Sequence, residues 1–198
     1  MHRLILASES PRRKDLLHKA GIRFQVFPVK VSEIPDKTLN AGEQILDIAG
    51  RKARAAFEEL SKRGNNSPFV VLAADTEVIF EGVPLGKPSS PEDAIRTLLR
   101  LSGRVHEVIT AVRMIDSSSG KAHSHIETTR VRFRSLPEKE IRDYVETGEP
   151  MDKAGSYGIQ GLGGKLVEKI EGDFDNVVGL PIKAVLGIFN ENGWRFAE

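Results

Sequence analysis

Serine and arginine side chains suited to binding phosphate lie near the start of the chain. The segment SESPRR (8–13) follows the apolar run LILA. Within it, Ser10 is typical of the N-cap of a helix and Pro11 of the first helical position. Three cations would occupy the first helical turn: Arg12, Arg13 and Lys14. A helix N-terminus carries partial positive charge, so cations there are unfavourable unless water or an anion surrounds them.

This basic turn has two interpretations. It is either a solvated surface feature or a phosphate site, in which backbone N–H groups and guanidinium groups bind phosphate oxygens. Ser8 and Ser10 would add hydroxyl donors to such a site. Taken alone, the segment predicts only that some anion binds here.

A lysine interrupts the apolar face of the long helix predicted over 42–64. The face consists of Ile45, Ile48, Ala49, Ala56 and Leu60, and Lys52 falls in its middle. A lysine on a buried face either extends its ammonium to solvent at the helix edge or meets an anion. The central position of Lys52 favours a cleft-facing side chain that contacts a substrate.

An aspartate ends a fully apolar strand. Asp75 follows FVVLAA (69–74), and ligands of open α/β sheets gather at the carboxyl ends of strands. A carboxylate there can bind a hard metal ion, accept a proton from water, or merely cap a turn. Glu33, after the strand predicted over 24–31, is a weaker candidate of the same kind.

Two further segments place polar side chains on constrained or glycine-rich backbone. Lys87 lies between Gly86 and Pro88 on what should be a rigid turn, which is a weak signal alone. In GIQGLGG (158–164) the glycine spacing differs from that of a dinucleotide-binding loop. The amide of Gln160 has both a donor and an acceptor, which match the carbonyl and N3–H of a uracil or thymine edge.

Alternating strands and helices, with hairpins among them, must position these residues. This pattern predicts an α/β fold with a mixed β-sheet flanked by helices. The predicted strands lie at 3–7, 24–31, 69–75, 104–115, 122–134 and 165–170, and the predicted helices at 11–20, 42–64, from 90, 137–147 and after 181.

Length and composition restrict the class of protein. The 198 residues suffice for one α/β domain, expected over 1–198, and the net charge of +1 argues against stable nucleic-acid binding. The absence of cysteine excludes disulfides and thiolate metal sites. No segment has the apolar length of a membrane span, so we expect a cytoplasmic protein without membrane association.

Five segments, in order, resemble the signature motifs of the Maf family. They are LASESPRRKDLL, ADTEVIFEGVPLGKP, LSGRVHEVITAV, EPMDKAGSYGIQGLGG and GDFDNVVGLP, within residues 3–190. Members of this family are nucleoside triphosphate pyrophosphatases, once described as septum-formation inhibitors. The resemblance implies a fold like that of inosine triphosphate pyrophosphatases, with two lobes around a central cleft, and usually a homodimer.

Details of these motifs are similar to the branch of the family that hydrolyses dTTP and UTP. That branch has SPRR in its first motif and YGIQG in a later motif. A sister branch, associated with 7-methyl-GTP, has an aromatic residue at the position of Arg12 and a Glu-containing segment in place of IQG. Arg12, Thr76 and Gln160 match the pyrimidine branch, which implies a house-cleaning hydrolase that releases pyrophosphate from dTTP and UTP.

The resemblance implies roles that agree with the local chemistry. Asp75 would accept the proton of the attacking water and share a metal ion with Glu33. The cations and hydroxyls that would hold the phosphates are Arg12, Arg13, Lys52, Lys87, Ser8 and Ser10. Thr76 and Gln160 would determine base specificity. Mg²⁺ is the expected ion, with Mn²⁺ as the alternative, since oxygen ligands and phosphates suit both.

Two alternatives stay open. The same chemistry could act on another modified nucleotide, such as 7-methyl-GTP. The second alternative is a non-catalytic regulator of cell division that binds nucleotide or nucleic acid. A panel of nucleoside triphosphates assayed for pyrophosphate release distinguishes the first alternative from dTTP and UTP hydrolysis. A gel shift with and without Mg²⁺, beside that assay, distinguishes a binding regulator from an enzyme.

Overall fold

The computed structural model of the chain describes residues 2–64 and 67–196. The helices are α1 Pro11–Lys19, α2 Ala41–Lys62, α3 Pro91–Leu101, α4 Glu138–Glu146, α5 Phe174–Val178 and α6 Ile182–Glu191. The strands are β1 Arg3–Leu6, β2 Gln25–Val26, β3 Phe69–Phe80, β4 Val83–Pro84, β5 Val105–Asp116, β6 Ala122–Phe133 and β7 Val167–Glu171. Short 3-10 turns occupy Glu149–Asp152, Ala154–Ser156 and Leu162–Leu166.

The seven strands within the described residues form one mixed sheet. Their order is β2-β1-β3-β5-β6-β7, and β4 pairs with β3. β1 is parallel to both β2 and β3, whereas β4 is antiparallel to β3 and β7 is antiparallel to β6. The expected fold class, a mixed sheet flanked by helices, is confirmed.

The chain divides into two compact units, and the division falls within β3, β5 and β6. Unit 1 consists of Met1–Asp75, Thr110–Glu127 and Gly179–Glu198, and unit 2 of Thr76–Ile109 and Thr128–Val178. The expectation of a single domain over 1–198 stays a prediction. Among the described residues, no helix has both the length and the apolar character needed to cross a bilayer.

Helix α2 packs its apolar face on the core of unit 1. Its first turn is closed by a capping box, in which Asn40 Oδ1 accepts from Glu43 N and Glu43 Oε2 accepts from Asn40 N, both at 3.0 Å. The core that this face joins contains Ile5, Ala7, Ala53, Ala56, Phe69, Val71, Ala73 and Ile115. The predicted helix and its apolar stripe are therefore present.

Two local predictions differ from the structure, and a third is met only in part. The strand predicted over 24–31 pairs only at Gln25–Val26, because Pro28 has no N–H to continue the ladder. The segment between the strand predicted over 165–170 and the helix predicted after 181, for which the pattern predicted neither helix nor strand, contains α5, whose start is capped by Asp173 Oδ1. Ser10 is the N-cap of α1, but its side chain makes no capping bond, and its backbone N–H donates to Ser8 Oγ at 3.2 Å.

A histidine is buried in the core of unit 2. His106 is 2% exposed, and its Nε2 lies 2.9 Å from Tyr157 Oη. Its ring packs edge-on against Phe133 and Tyr157. Burial lowers the pKa of His106 from 6.5 to about 4, because the charged imidazolium would lose its hydration.

The stability of the protein should therefore fall in mild acid. Above about pH 6.5 the ring of His106 is neutral in both states, whereas below it the unfolded chain binds a proton that the folded chain does not. This difference lowers the free energy of unfolding by up to about 3 kcal/mol as the pH approaches 4. Urea unfolding of the wild type and His106→Gln, from about pH 7 to about pH 4.5, measures it. A stability gap between the two proteins that stays constant across this range would contradict the prediction.

Candidate active site

Two parallel strands of unit 1 bring predicted site residues to one edge of the sheet. Leu6 of β1 lies opposite Leu72 of β3. The chain that leaves β1, with Ser8, therefore emerges beside the part of β3 that leads to Asp75. The carboxyl ends of parallel strands are the usual location of ligand sites in α/β sheets.

Lys52 lies between two carboxylates. Its Nζ is 2.7 Å from Glu33 Oε1 and 2.7 Å from Asp75 Oδ1. The side chains of Lys52 and Asp75 are 13% and 15% exposed, whereas that of Glu33 is 62% exposed. A lysine can occupy the apolar face of α2 because the two carboxylates compensate its charge. The partners of the Lys52 ammonium in the structure are carboxylates of the protein, and its expected contact with a substrate stays a prediction.

Arg13 is held by two hydrogen bonds within unit 1. Its Nε donates to Gly179 O at 2.9 Å, and its Nη1 donates to Ser8 Oγ at 3.1 Å. Burial is the main cause that lowers the pKa of Arg13 from its usual value, and Arg12 acts in the same direction, while Asp75 and Glu33 oppose them. An arginine stays charged despite such a shift, so a fixed cation lies near the carboxylates.

Arg51 anchors the segment that carries Glu33, and sequence reasoning missed it. Its guanidinium donates to Ser32 O at 2.6 Å and Ile34 O at 2.9 Å, on either side of Glu33. Asp47 Oδ2 in turn accepts from Arg51 at 3.0 and 2.5 Å. The i,i+4 spacing of Asp47 and Arg51 indicates an ion pair, but no pattern relates Arg51 to the backbone around Glu33.

The remaining predicted residues lie in unit 2. Thr76 follows Asp75 on β3, and Lys87 is exposed after β4, beside Gly86, whose carbonyl accepts from Gly155 N at 2.8 Å. Gln160 is exposed in the glycine-rich loop (158–164). In unit 1 the structure groups Ser8, Ser10, Arg12, Arg13, Glu33, Lys52 and Asp75.

This arrangement of residues in unit 1 suits a site that binds a polyanion and activates water. Arg13 supplies a fixed positive charge, Lys52 is paired with Glu33 and Asp75, and Asp75 supplies a carboxylate that is mostly shielded from solvent. Bound phosphates favour guanidinium and ammonium partners, and a positioned carboxylate can accept a proton from water.

Comparison with known proteins identifies the family of the chain. A family profile described as Maf-like protein matches residues 3–192. The chain belongs to the Maf family. The expected resemblance is thereby confirmed over nearly the whole sequence.

Relatives of this Maf chain carry names that state an activity. It is 60% identical to a protein of Bdellovibrio bacteriovorus named dTTP/UTP pyrophosphatase, over 95% of this chain and 97% of the relative. It is 44% identical to a protein of the same name from Caldicellulosiruptor bescii, over 92% of this chain and 90% of the relative. Among solved structures, the Ham1 protein of Staphylococcus aureus aligns with 97% of this chain and 100% of its own, with 14% identity and a TM-score of 0.49.

The acidic side chains of this Maf chain can be compared with the needs of a metal ion. Within the described residues, no group of three or more His, Cys, Asp or Glu side chains is placed to share a metal. Asp75 and Glu33 nevertheless place two carboxylates on one ammonium, that of Lys52. A magnesium ion commonly uses one or two carboxylates and completes its shell with water and substrate phosphates. The donor set fits such an ion.

Proposed function

We propose that this member of the Maf family is a nucleoside triphosphate pyrophosphatase that hydrolyses dTTP and UTP. The products are the nucleoside monophosphate and pyrophosphate. The observation that carries the proposal is the contact of Lys52 with both Asp75 and Glu33, at 2.7 Å each. A relative 60% identical to the chain, named dTTP/UTP pyrophosphatase, supports this choice of substrate.

The residues of unit 1 would perform the hydrolysis as follows. Asp75 takes a proton from water while the water oxygen forms a bond to phosphorus at the α–β anhydride. The bridging P–O bond breaks, and pyrophosphate leaves with its charge balanced by cations of the site. Lys52 orients the Asp75 carboxylate, and Ser8 is positioned by the bond that it accepts from Arg13.

The other predicted residues would bind and select the substrate. Arg12, Arg13 and Lys87 hold phosphate oxygens, and Ser8 and Ser10 donate hydrogen bonds to them. Thr76 contributes to specificity. Mg²⁺, or Mn²⁺ in its place, would be held by Asp75 and Glu33, and it would neutralise part of the triphosphate charge.

A substrate panel tests the proposal. Purified protein is assayed for pyrophosphate release from dTTP, UTP, other canonical nucleoside triphosphates and 7-methyl-GTP, with Mg²⁺ and with EDTA. We expect the highest kcat/KM with dTTP and UTP. A preference for 7-methyl-GTP would mean that the protein performs the same chemistry on another nucleotide. Nucleotide binding without turnover would favour a non-catalytic regulator.

Gln160→Glu should reduce the use of pyrimidine nucleotides selectively. The exposed amide of Gln160 would pair with the base carbonyl and N3–H, and the carboxylate lacks the donor that faces the carbonyl. We expect kcat/KM for dTTP and UTP to fall by about tenfold or more, with smaller losses for GTP. Gln25→Glu, at another exposed glutamine, is the matched control. Equal losses with all nucleotides would show that Gln160 does not select the base.

We also propose that the enzyme is a cytoplasmic homodimer that does not bind nucleic acid stably. The expectation of a dimer rests on the family resemblance, and that of no nucleic-acid binding on the net charge of +1. Sedimentation equilibrium, cell fractionation and a gel shift measure the three properties separately.

A further inference from the structure

The glycine-rich loop is bound to the carboxylate of Glu149. Oε1 of Glu149 accepts from Tyr144 Oη at 2.9 Å and from Gly163 N at 3.0 Å. Oε2 accepts from Leu162 N at 2.9 Å. Tyr144 Oη also accepts from Gly158 N at 3.1 Å. One carboxylate and one phenol thus bind the loop backbone before and after Gln160.

Glycines of the loop are required by this contact. A Cβ at Gly161 would lie 2.4 Å from Glu149 Oε2. A Cβ at Gly163 would lie 2.6 Å from Tyr144 Oη and 2.8 Å from both N and O of Gly158. Neither Gly161 nor Gly163 has a left-handed backbone conformation, so the reason for glycine is space. The loop is therefore closely packed around Glu149 and Tyr144.

Glu149 is ionised and Tyr144 is protonated, so the phenol can donate to the carboxylate. Burial acts to raise the pKa of Glu149, but bonds from Gly163, Leu162 and Tyr144 outweigh it, so the pKa lies below 4.5. Burial raises the pKa of Tyr144, so its phenol stays protonated and donates to Glu149. Glu149 thus accepts from its N–H partners at neutral pH.

We propose that Glu149 is a positioning residue for base recognition, which acts by holding the loop backbone on both sides of Gln160. This inference rests on the proposed function, in which Gln160 reads the pyrimidine. Gln160 lies two residues after Gly158 and two before Leu162, so both anchors restrict where its amide can point. Loss of the anchors would leave the amide present but no longer prealigned with the base.

Glu149→Gln tests the role of the carboxylate. An amide NH₂ in place of one oxygen would face an N–H donor of the loop, so at least one hydrogen bond is lost. We expect kcat/KM for dTTP to fall by about tenfold or more, with a smaller effect for GTP. Glu146→Gln, an exposed glutamate of α4, is the matched control. Tyr144→Phe is a second variant, which removes the hydroxyl that donates to Glu149 and accepts from Gly158 N.

A double-mutant cycle distinguishes positioning of Gln160 from an independent effect. In the Gln160→Ala background, Glu149→Gln should change kcat/KM for dTTP by only about twofold or less, because the side chain that it positions is gone. The same fold-loss in both backgrounds would overturn the proposal. Tyr144→Phe, analysed in the same cycle, gives the answer if Glu149→Gln does not fold.

Amide hydrogen exchange gives a readout that does not depend on activity. The amides of Leu162 and Gly163 should exchange about tenfold or more faster in Glu149→Gln than in the wild type, while those of α2 stay unchanged. Unchanged exchange at both loop amides would overturn the proposal. A wild type with normal loop protection but no turnover of dTTP or UTP would refute the proposed function instead.

Discussion

Asp75→Asn is expected to lower kcat for pyrophosphate release from dTTP by about 10²–10⁴-fold, the usual contribution of a positioned general base. Asparagine has the same shape as aspartate but cannot accept a proton from water. Lys52 keeps its 2.7 Å contact with Glu33, and the new amide oxygen can still accept from Lys52. The fold should therefore survive, at a cost of about 1–2 kcal/mol.

Stopped assays of pyrophosphate with saturating dTTP, together with thermal unfolding, measure both effects. Glu33→Gln is the informative control, because its carboxylate contacts the same ammonium but is 62% exposed. We expect Glu33→Gln to reduce turnover less than Asp75→Asn. Turnover of Asp75→Asn within about tenfold of the wild type would contradict a general-base role.

Arg13→Lys is expected to reduce kcat/KM for dTTP by about a hundredfold, although the charge is retained. The guanidinium of Arg13 donates to Gly179 O and Ser8 Oγ at once, through Nε and Nη1. A lysine ammonium has no planar fork, so it cannot hold both partners and present two donors to a phosphate. Ser8 would also lose the donor that positions its hydroxyl.

Steady-state kinetics with dTTP and a binding assay with pyrophosphate measure the loss. Arg54→Lys is the matched control, since Arg54 is an exposed residue of α2 in the same unit. We expect Arg54→Lys to leave both measurements close to those of the wild type. Arg13→Lys with unchanged kcat/KM would mean that only the charge of Arg13 matters.

The spacing of apolar residues predicted most of the helices and strands, because it indicates which side chains are buried. The apolar stripe of α2 is buried at Ile45, Ile48 and Ala49, as its spacing of three and four residues requires. The strand predicted over 24–31 is mostly absent for a reason that periodicity does not include. Its alternation is typical of a strand, but Pro28 cannot donate to a neighbouring strand.

Candidate site residues stood out in the sequence where they violated a local rule. Lys52 is the clearest case, because a cation on an apolar face requires a partner, and two carboxylates provide it. Arg51 and Glu149 violate no rule, since a charged residue on a helix or turn is ordinary. Their partners are backbone groups, and every residue except proline has both a backbone donor and an acceptor.

The sequence by itself determined the fold class, the family and the types of side chain available for chemistry. These follow from periodicity, motifs and residue type, which are local properties of the chain. Only the tertiary structure decided that Lys52 contacts Asp75 and Glu33 together, that Arg13 binds Ser8 and Gly179, and that Arg51 and Glu149 anchor their loops. Such contacts join residues distant in sequence, and their distances depend on how strands and helices pack, which no local pattern specifies.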